Sequence, residues 1–266
     1  MQLVVITRET HAGKSWRPGE RFDFAAKICM APVVRSELSR AALAMPIAFV
    51  KEGEGYGLAA VMSLKPDDNV FVGPAGQWLG AYTPAFLRSH PFALAITPEK
   101  PGEKVLGMDV SFPIAEGTGP GFLPFFDDAG ELSAPLKQVI EFFGTLEHDR
   151  IATAAALKSV EEAGLIMPWK ITLRRAEGEQ SVAGLYRIDE TALNALDDTA
   201  FLALRKAGAL PVVYTQLLST GQLEMLDRVR TLRDRMSKPT LVDSGVFPKA
   251  RSSNFQLRDE DTLQFE

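Results

Sequence analysis

The chain is poor in the residues that announce a chemistry outright. It has one cysteine, Cys29, and three histidines, His11, His90 and His148, in 266 residues. A single thiol closes no internal disulfide, so the fold does not depend on an oxidising compartment. Histidines this far apart, with no HExxH, no paired cysteines and no EF-hand loop, give a metal site no support. Asp127-Asp128-Ala129-Gly130 departs from the calcium-loop pattern and reads as a turn. No Gly-x-Ser-x-Gly surrounds Ser219 or Ser244, and no dinucleotide fingerprint follows a strand. Gly13-Lys14-Ser15 resembles the end of a phosphate loop, but the glycine needed five residues earlier is Arg8. No cofactor is therefore expected, and the reading leans away from an enzyme.

Basic excess is lacking too. Lys and Arg number 29 against 34 Asp and Glu, a net charge of −5, which argues against a nucleic-acid surface. Long apolar runs are absent: the longest, residues 41–50, is broken by Pro46 and too short to span a bilayer. The opening MQLVVITRETHAGK has no basic n-region and places Arg8 and Glu9 just after a short strand-like run, so a secretory signal is not expected. A cytoplasmic protein follows, with leaderless export required for any cell-surface location.

What is present is an ordinary globular composition, long enough for one large domain or two modest ones. The pattern predicts an α+β fold in three regions: a β-rich region over 1–130, a helical region over 131–236 with a hairpin at about 168–188, and a polar tail over 237–266. In the first, strands are expected at residues 2–7, 21–28, 47–51, 56–64, 69–73, 93–97 and 105–110, with a short helix over 34–45 stopped by Pro46. His11 falls in a polar loop, and residues 111–124, dense in Gly and Pro, read as another. In the second, Ser133 can cap a helix whose core face carries Leu136, Val139, Ile140 and Phe143. A second helix follows over 151–163, with His148 and Asp149 as a polar join. Asp189 caps a further helix and Asp198 the next, over 199–207. Residues 212–218 read as a buried strand or a helix start. Residues 222–236 make an amphipathic helix with Met225, Val229, Leu232 and Met236 in its stripe and arginines on a solvated face. Phe247, Phe255 and Phe265 are scattered anchors in the tail.

The stretch over residues 76–92, GQWLGAYTPAFLRSHPF, is the most distinctive. Its prolines bias Thr83 and His90 away from helix, giving strand, corner, short turn, strand. Trp78, Tyr82 and Phe86 recur four apart. Arg88 is the one formal charge between Asp68 and Glu99, and a guanidinium among aromatics wants a carboxylate, a phosphate or a ring face. Asp109 is the first carboxylate to test as its partner.

Trp78 followed by AYTPAFLRSHPF resembles the signature of the bacterial SapC family, a surface-layer-associated family of chains near this length. His11, Met45-Pro46-Ile47-Ala48-Phe49, Asn69-Val70-Phe71-Val72, Gly184-Leu185-Tyr186-Arg187-Ile188-Asp189-Glu190 and the Leu-rich segment over 193–226 agree with it in order. A histidine often stands in that family where this chain has Gln216. The resemblance implies an accessory role linked to surface-layer or uptake systems, beside outer-membrane receptors and halogenase-like proteins, without a defined reaction. The favoured expectation is a binding protein for a peptide or small carboxylate, with Trp78, Tyr82, Phe86, Arg88, Asp109 and His11 as its site. The alternatives are a structural surface-layer assembly protein and an uncharacterised enzyme using His11 near Arg88.

Overall fold

The computed structural model describes residues 2–96, 102–175 and 178–237. In chain order, β1 (Leu3–Val5), α1 (Arg8–His11), β2 (Lys14–Trp16) and β3 (Met30–Pro32) precede α2 (Leu38–Ala44) and the hairpin of β4 (Ile47–Glu52) and β5 (Gly55–Val61). Then come α3 (Ala85–Arg88), the hairpin of β6 (Phe92–Ile96) and β7 (Lys104–Asp109), and the short β8 (Ile114–Glu116) and β9 (Leu123–Pro124). The long α4 (Ala134–Glu162) leads to β10 (Ile166–Pro168), β11 (Ile171–Arg175), β12 (Gly178–Val182) and β13 (Tyr186–Ile188). Four helices close the described chain: α5 (Glu190–Asn194), α6 (Asp198–Lys206), α7 (Leu210–Ser219) and α8 (Leu223–Ser237). The fold is α+β.

Among the described residues the strands form four antiparallel sheets, in the orders β1-β7-β6, β10-β13-β4-β5-β3, β8-β2-β9 and β11-β12. They are sorted into two cores. The larger wraps the five-stranded sheet with α2, α7 and the C-terminal half of α4, and holds Met45, Ile47, Phe49, Met62, Phe71, Leu165 and Ile188. The smaller holds Trp16, Phe92, Met108, Phe125, Leu136 and Phe143 between the small sheets and the N-terminal half of α4. Helix α4, about 43 Å long at 1.5 Å per residue, serves both: Leu136 and Phe143 enter the small core, and Ala156, Leu157 and Val160 the large one.

Several expectations meet their elements here. Pro46 ends α2, the turn between Glu52 and Gly55 closes β4 on β5, and Ser133 Oγ caps α4 by accepting from Leu136 N. Other expectations need correction. Residues 21–28 form no strand; a 3-10 turn at Asp23–Ala25 precedes β3. Residues 69–73 form no strand: Val72 bridges to Trp78, Val70 N donates to Met62 O and Gly73 N to Gln77 O, and Phe71 O accepts from Leu79 N. The loop over 111–124 contributes β8 and β9, which flank β2. His11 ends α1 rather than lying in an open loop, and is only 2% exposed.

The polar join at His148 and Asp149 is the most instructive correction, because α4 runs through it. Asp149 Oδ2 accepts from Ser36 N at 2.8 Å, and Thr153 Oγ1 accepts from Arg35 N at 2.8 Å. One turn apart on the helix, they meet the free amides at the start of a 3-10 turn, Arg35–Glu37, which leads into α2. A carboxylate in an apolar stripe is a dock here, not a break.

Farther on, β11 and β12 form the expected hairpin, but β13 leaves it to pair with β10 and to touch β4 at Phe49. Asp197, not Asp198, caps α6, accepting from Ala200 N. Residues 212–218 are helical, within α7. In α8, Leu226 and Val229 are buried while Leu232 and Met236 stay exposed, and Arg233 turns in to meet Asp68 Oδ1 at 2.8 Å. The end of the strand expected at 93–97 lies outside the described residues, as do Ala176, Glu177 and the tail expected over 238–266.

Candidate functional site

The 76–92 stretch divides its residues between holding the fold and facing solvent. Trp78 stacks on Phe71 with ring centroids 5.4 Å apart, and its Nε1–H donates to Tyr82 O at 3.0 Å. Gly80 is required beneath it: a Cβ there would stand 2.8 Å from the Phe71 ring and 2.9 Å from Trp78 Nε1. Tyr82 turns its hydroxyl to Glu37 Oε1 at 2.8 Å. Glu37 is buried and also accepts from Ala85 N at 2.6 Å and, on Oε2, from Val34 N at 3.1 Å. This carboxylate pins the Tyr-Thr-Pro corner to the start of α2. Burial, then the Glu37 bond, pushes the Tyr82 phenol up to about 12, with Arg88 opposing. Glu37 carried no signal in the sequence beyond its place in a short amphipathic run.

Past the corner, α3 presents Phe86 and Arg88 outward. Phe86 is 46% exposed. The Arg88 guanidinium stands 5.9 Å from the Tyr82 ring centroid and 5.6 Å from that of Phe142 on α4, a cation between two aromatic faces. Its Nε–H donates to Thr83 O at 3.1 Å. Among the described residues no carboxylate pairs with it.

Asp109 serves a neighbour instead. Its Oδ2 lies 3.8 Å from His90 Nε2, and its Oδ1 accepts from Ser111 N and Oγ at 2.9 and 2.8 Å. Burial works to raise the Asp109 carboxyl, but the Ser111 bonds and then His90 hold it below its ordinary value. His90 stacks on Phe24 with centroids 3.7 Å apart and meets Phe112 edge-on; burial depresses its imidazole, and Asp109 offsets part of that. His11 Nδ1 meets Thr10 Oγ1 at 2.6 Å and its ring packs on Phe125 at 4.9 Å, with no contact to Arg88 or Asp109. Burial lowers its pKa as well.

Two cavities open around this stretch. One of about 360 Å³ is lined by Arg88, His90, Gln138 and Phe142 with Trp16 and Phe92 at its back. The other, about 470 Å³, lies along the middle of α4 between the two cores, with Phe86, Leu94, Phe143, Leu146 and Leu157 among its walls. Ser89 and Phe143 line both. At the far end of the larger one, Glu147 holds Lys104 and Arg150, each at 2.7 Å. The bonds from Arg150 and then Lys104 draw its carboxyl down to about 2. Both volumes lie in the range of small-ligand sites. Trp78 lines neither cavity, nor do Tyr82, Asp109 and His11; of the residues singled out in the sequence, Arg88 and Phe86 do, one in each.

Gln216, at the position where the resembled family often has histidine, is fully buried. Its Oε1 accepts from Ile188 N at 2.9 Å and its Nε2 donates to Ile47 O at 3.1 Å, joining α7 to β13 and β4. Among the described residues, no group of three His, Cys, Asp or Glu side chains could hold a metal, and no helix is long and apolar enough to cross a membrane.

Fold and site together give an α+β scaffold packed on one long helix, with Arg88 lining an aromatic cleft beside α4. The chain belongs to the SapC family, whose model matches residues 6–226, from the end of β1 to the first turn of α8. No curated protein and no solved structure matches the chain.

Proposed function

We propose that the protein is a binding or accessory protein that takes a carboxylate-bearing ligand, a peptide or a small acid, in the cleft headed by Arg88. One observation carries this. Arg88 is a fixed cation without a carboxylate partner among the described residues, held between Tyr82 and Phe142 at the mouth of an aromatic cleft. A guanidinium presents a planar fork that suits a carboxylate, and aromatic walls exclude water and strengthen the attraction. Gln138 and His90 line the same cleft and offer further hydrogen-bonding groups. Trp78, Tyr82 and Glu37 support the site by fixing the corner from which α3 departs.

Calorimetric titration with N-acetyl amino acids of graded side-chain size tests this. Binding that strengthens with apolar bulk, and that falls by about tenfold or more in Arg88→Ala with unfolding unchanged, is expected. Equal binding by the amidated compounds, or by Arg88→Ala, refutes it.

A further inference from the structure

Strand β6 stands at the end of its sheet, in the order β1-β7-β6, and it begins four residues after Arg88. Which of its backbone groups are free follows from the ladder. Asp109 N donates to Pro91 O at 2.9 Å, which makes that pair a hydrogen-bonded one. Partners alternate in an antiparallel ladder, so Ala93 and Ala95 turn their amides and carbonyls toward β7, opposite Gly107 and Val105. Phe92, Leu94 and Ile96 turn theirs away. The Phe92 amide is taken by Ser89 O at 2.8 Å. Leu94 and Ile96 face an edge that no strand covers among the described residues.

That edge borders the larger cavity. Ala93, Leu94 and Ile96 all line it, although side chains at odd and even positions of a strand point to opposite faces. Residues of both alternations border one space because the space lies against the strand's edge. Across it stand Phe143, Leu146 and Leu157 of α4, an apolar wall. The smaller cavity, with Arg88, adjoins the start of the same strand at Phe92.

We infer that the ligand is the C-terminal end of an extended, apolar peptide, which adds to β6 as an antiparallel strand. The inference rests on carboxylate recognition at Arg88. The peptide's terminal carboxylate pairs with Arg88, and its chain runs back along β6 from Phe92 toward Ile96. Its backbone exchanges hydrogen bonds with the amide and carbonyl of Leu94, and alternate side chains enter the space below α4. Main-chain pairing supplies affinity and the pockets supply selectivity, as in other cases of strand addition. The Lys104-Glu147-Arg150 group at the far end, one carboxylate held between two cations, marks where the apolar part of the site stops.

The test is an array of hexapeptides synthesised with free C-termini, each duplicated as its amide, probed with the full chain. Selected peptides are then followed by amide hydrogen exchange. Selection of free acids with apolar residues at alternate positions is expected, with slower exchange of the Leu94 amide by about tenfold or more on binding. Arg88→Ala is expected to abolish selection. N-methylation of the peptide nitrogen opposite Leu94, or Leu94→Pro, which an edge strand tolerates, is expected to weaken binding about tenfold or more. If N-acetyl amino acids bind through Arg88 but Leu94 exchange is unmoved and N-methylation is harmless, strand addition is overturned while carboxylate recognition stands. If the array shows no preference for free acids and the N-acetyl amino acids fail as well, both fall.

Discussion

Replacing Glu37 by glutamine changes one atom at the point where the Tyr-Thr-Pro corner is tied down. The buried carboxylate accepts three bonds, from Ala85 N, Tyr82 Oη and Val34 N. Glutamine keeps one oxygen, which can serve Ala85 and Tyr82 as a neutral acceptor, but its amide nitrogen then faces the Val34 N–H, donor against donor. One charge-assisted bond is lost with a buried amide left unpaired, and two others weaken. At about 1–3 kcal/mol for the orphaned donor and a few tenths for each weakened bond, the loss is about 2–4 kcal/mol. Tyr82→Phe, which removes one donor and leaves the carboxylate two, is expected to cost about 1–1.5 kcal/mol. Urea unfolding measures both. A second readout is independent of stability: the Tyr82 phenol, at about 12, is expected to titrate lower in Glu37→Gln but still above its usual value, because burial persists. Being raised in the folded state, Tyr82 favours folding below its ordinary pKa of 10.0, and that contribution is lost as pH rises toward 12. A loss under about 0.5 kcal/mol, or an unmoved Tyr82 titration, would refute the assignment of Glu37 as the fastening of the corner.

Three further outcomes follow from single features. Gly144 lies in the interior of α4, where an added methyl would meet nothing within 4 Å, so Gly144→Ala is expected to stabilise the protein by about 0.5–1 kcal/mol in urea unfolding, and destabilisation contradicts the packing there. Gln216→Ala orphans Ile188 N in the large core and leaves Ile47 O only the longer bond from Ser219 Oγ, and is expected to cost about 1–3 kcal/mol; Gln216→His, which can restore only part of that bridge, should fall between it and the parent. His11 and His90 are both held below 6.5 by burial, so the unfolded chain takes up their protons first as pH falls. Their contribution is full above 6.5 and is lost as pH drops through their folded values, so stability should decline as pH falls below 6.5. A flat profile there refutes neutral burial of both.

Much of the scaffold was legible because local chemistry and burial agree in it. Pro46, the glycines beside Glu54, the Ser133 cap and the apolar stripe from Leu136 to Phe143 each act within a few residues, and each leaves a periodic or turn mark in the sequence. What escaped was polar groups used at long range. Asp149 and Thr153 dock a turn 113 and 118 residues away, and nothing local distinguishes such a pair from a solvated join. Glu37 stands in a short amphipathic run and Arg233 among arginines that read as a solvated face, yet each is turned inward by a partner distant in sequence. β8 and β9 were hidden because two- and three-residue strands in a Gly-rich loop exist only through pairing with β2. At the site, the isolation of Arg88 among aromatics was readable from composition alone. The neighbours were not: four-residue spacing grouped Trp78 and Tyr82 with Phe86, whereas Pro84 sends the first two into contact with the core and the third outward.

The most direct measurement is a nitrogen-15 NMR titration that follows the Arg88 guanidinium, assigned by comparison with Arg88→Lys, as N-acetyl-leucine is added, with N-acetyl-leucine amide as the control. Carboxylate recognition in the cleft requires the Arg88 resonances to shift and saturate with the acid and to stay still with the amide. Saturable binding that leaves Arg88 unmoved, or equal shifts from acid and amide, contradicts it.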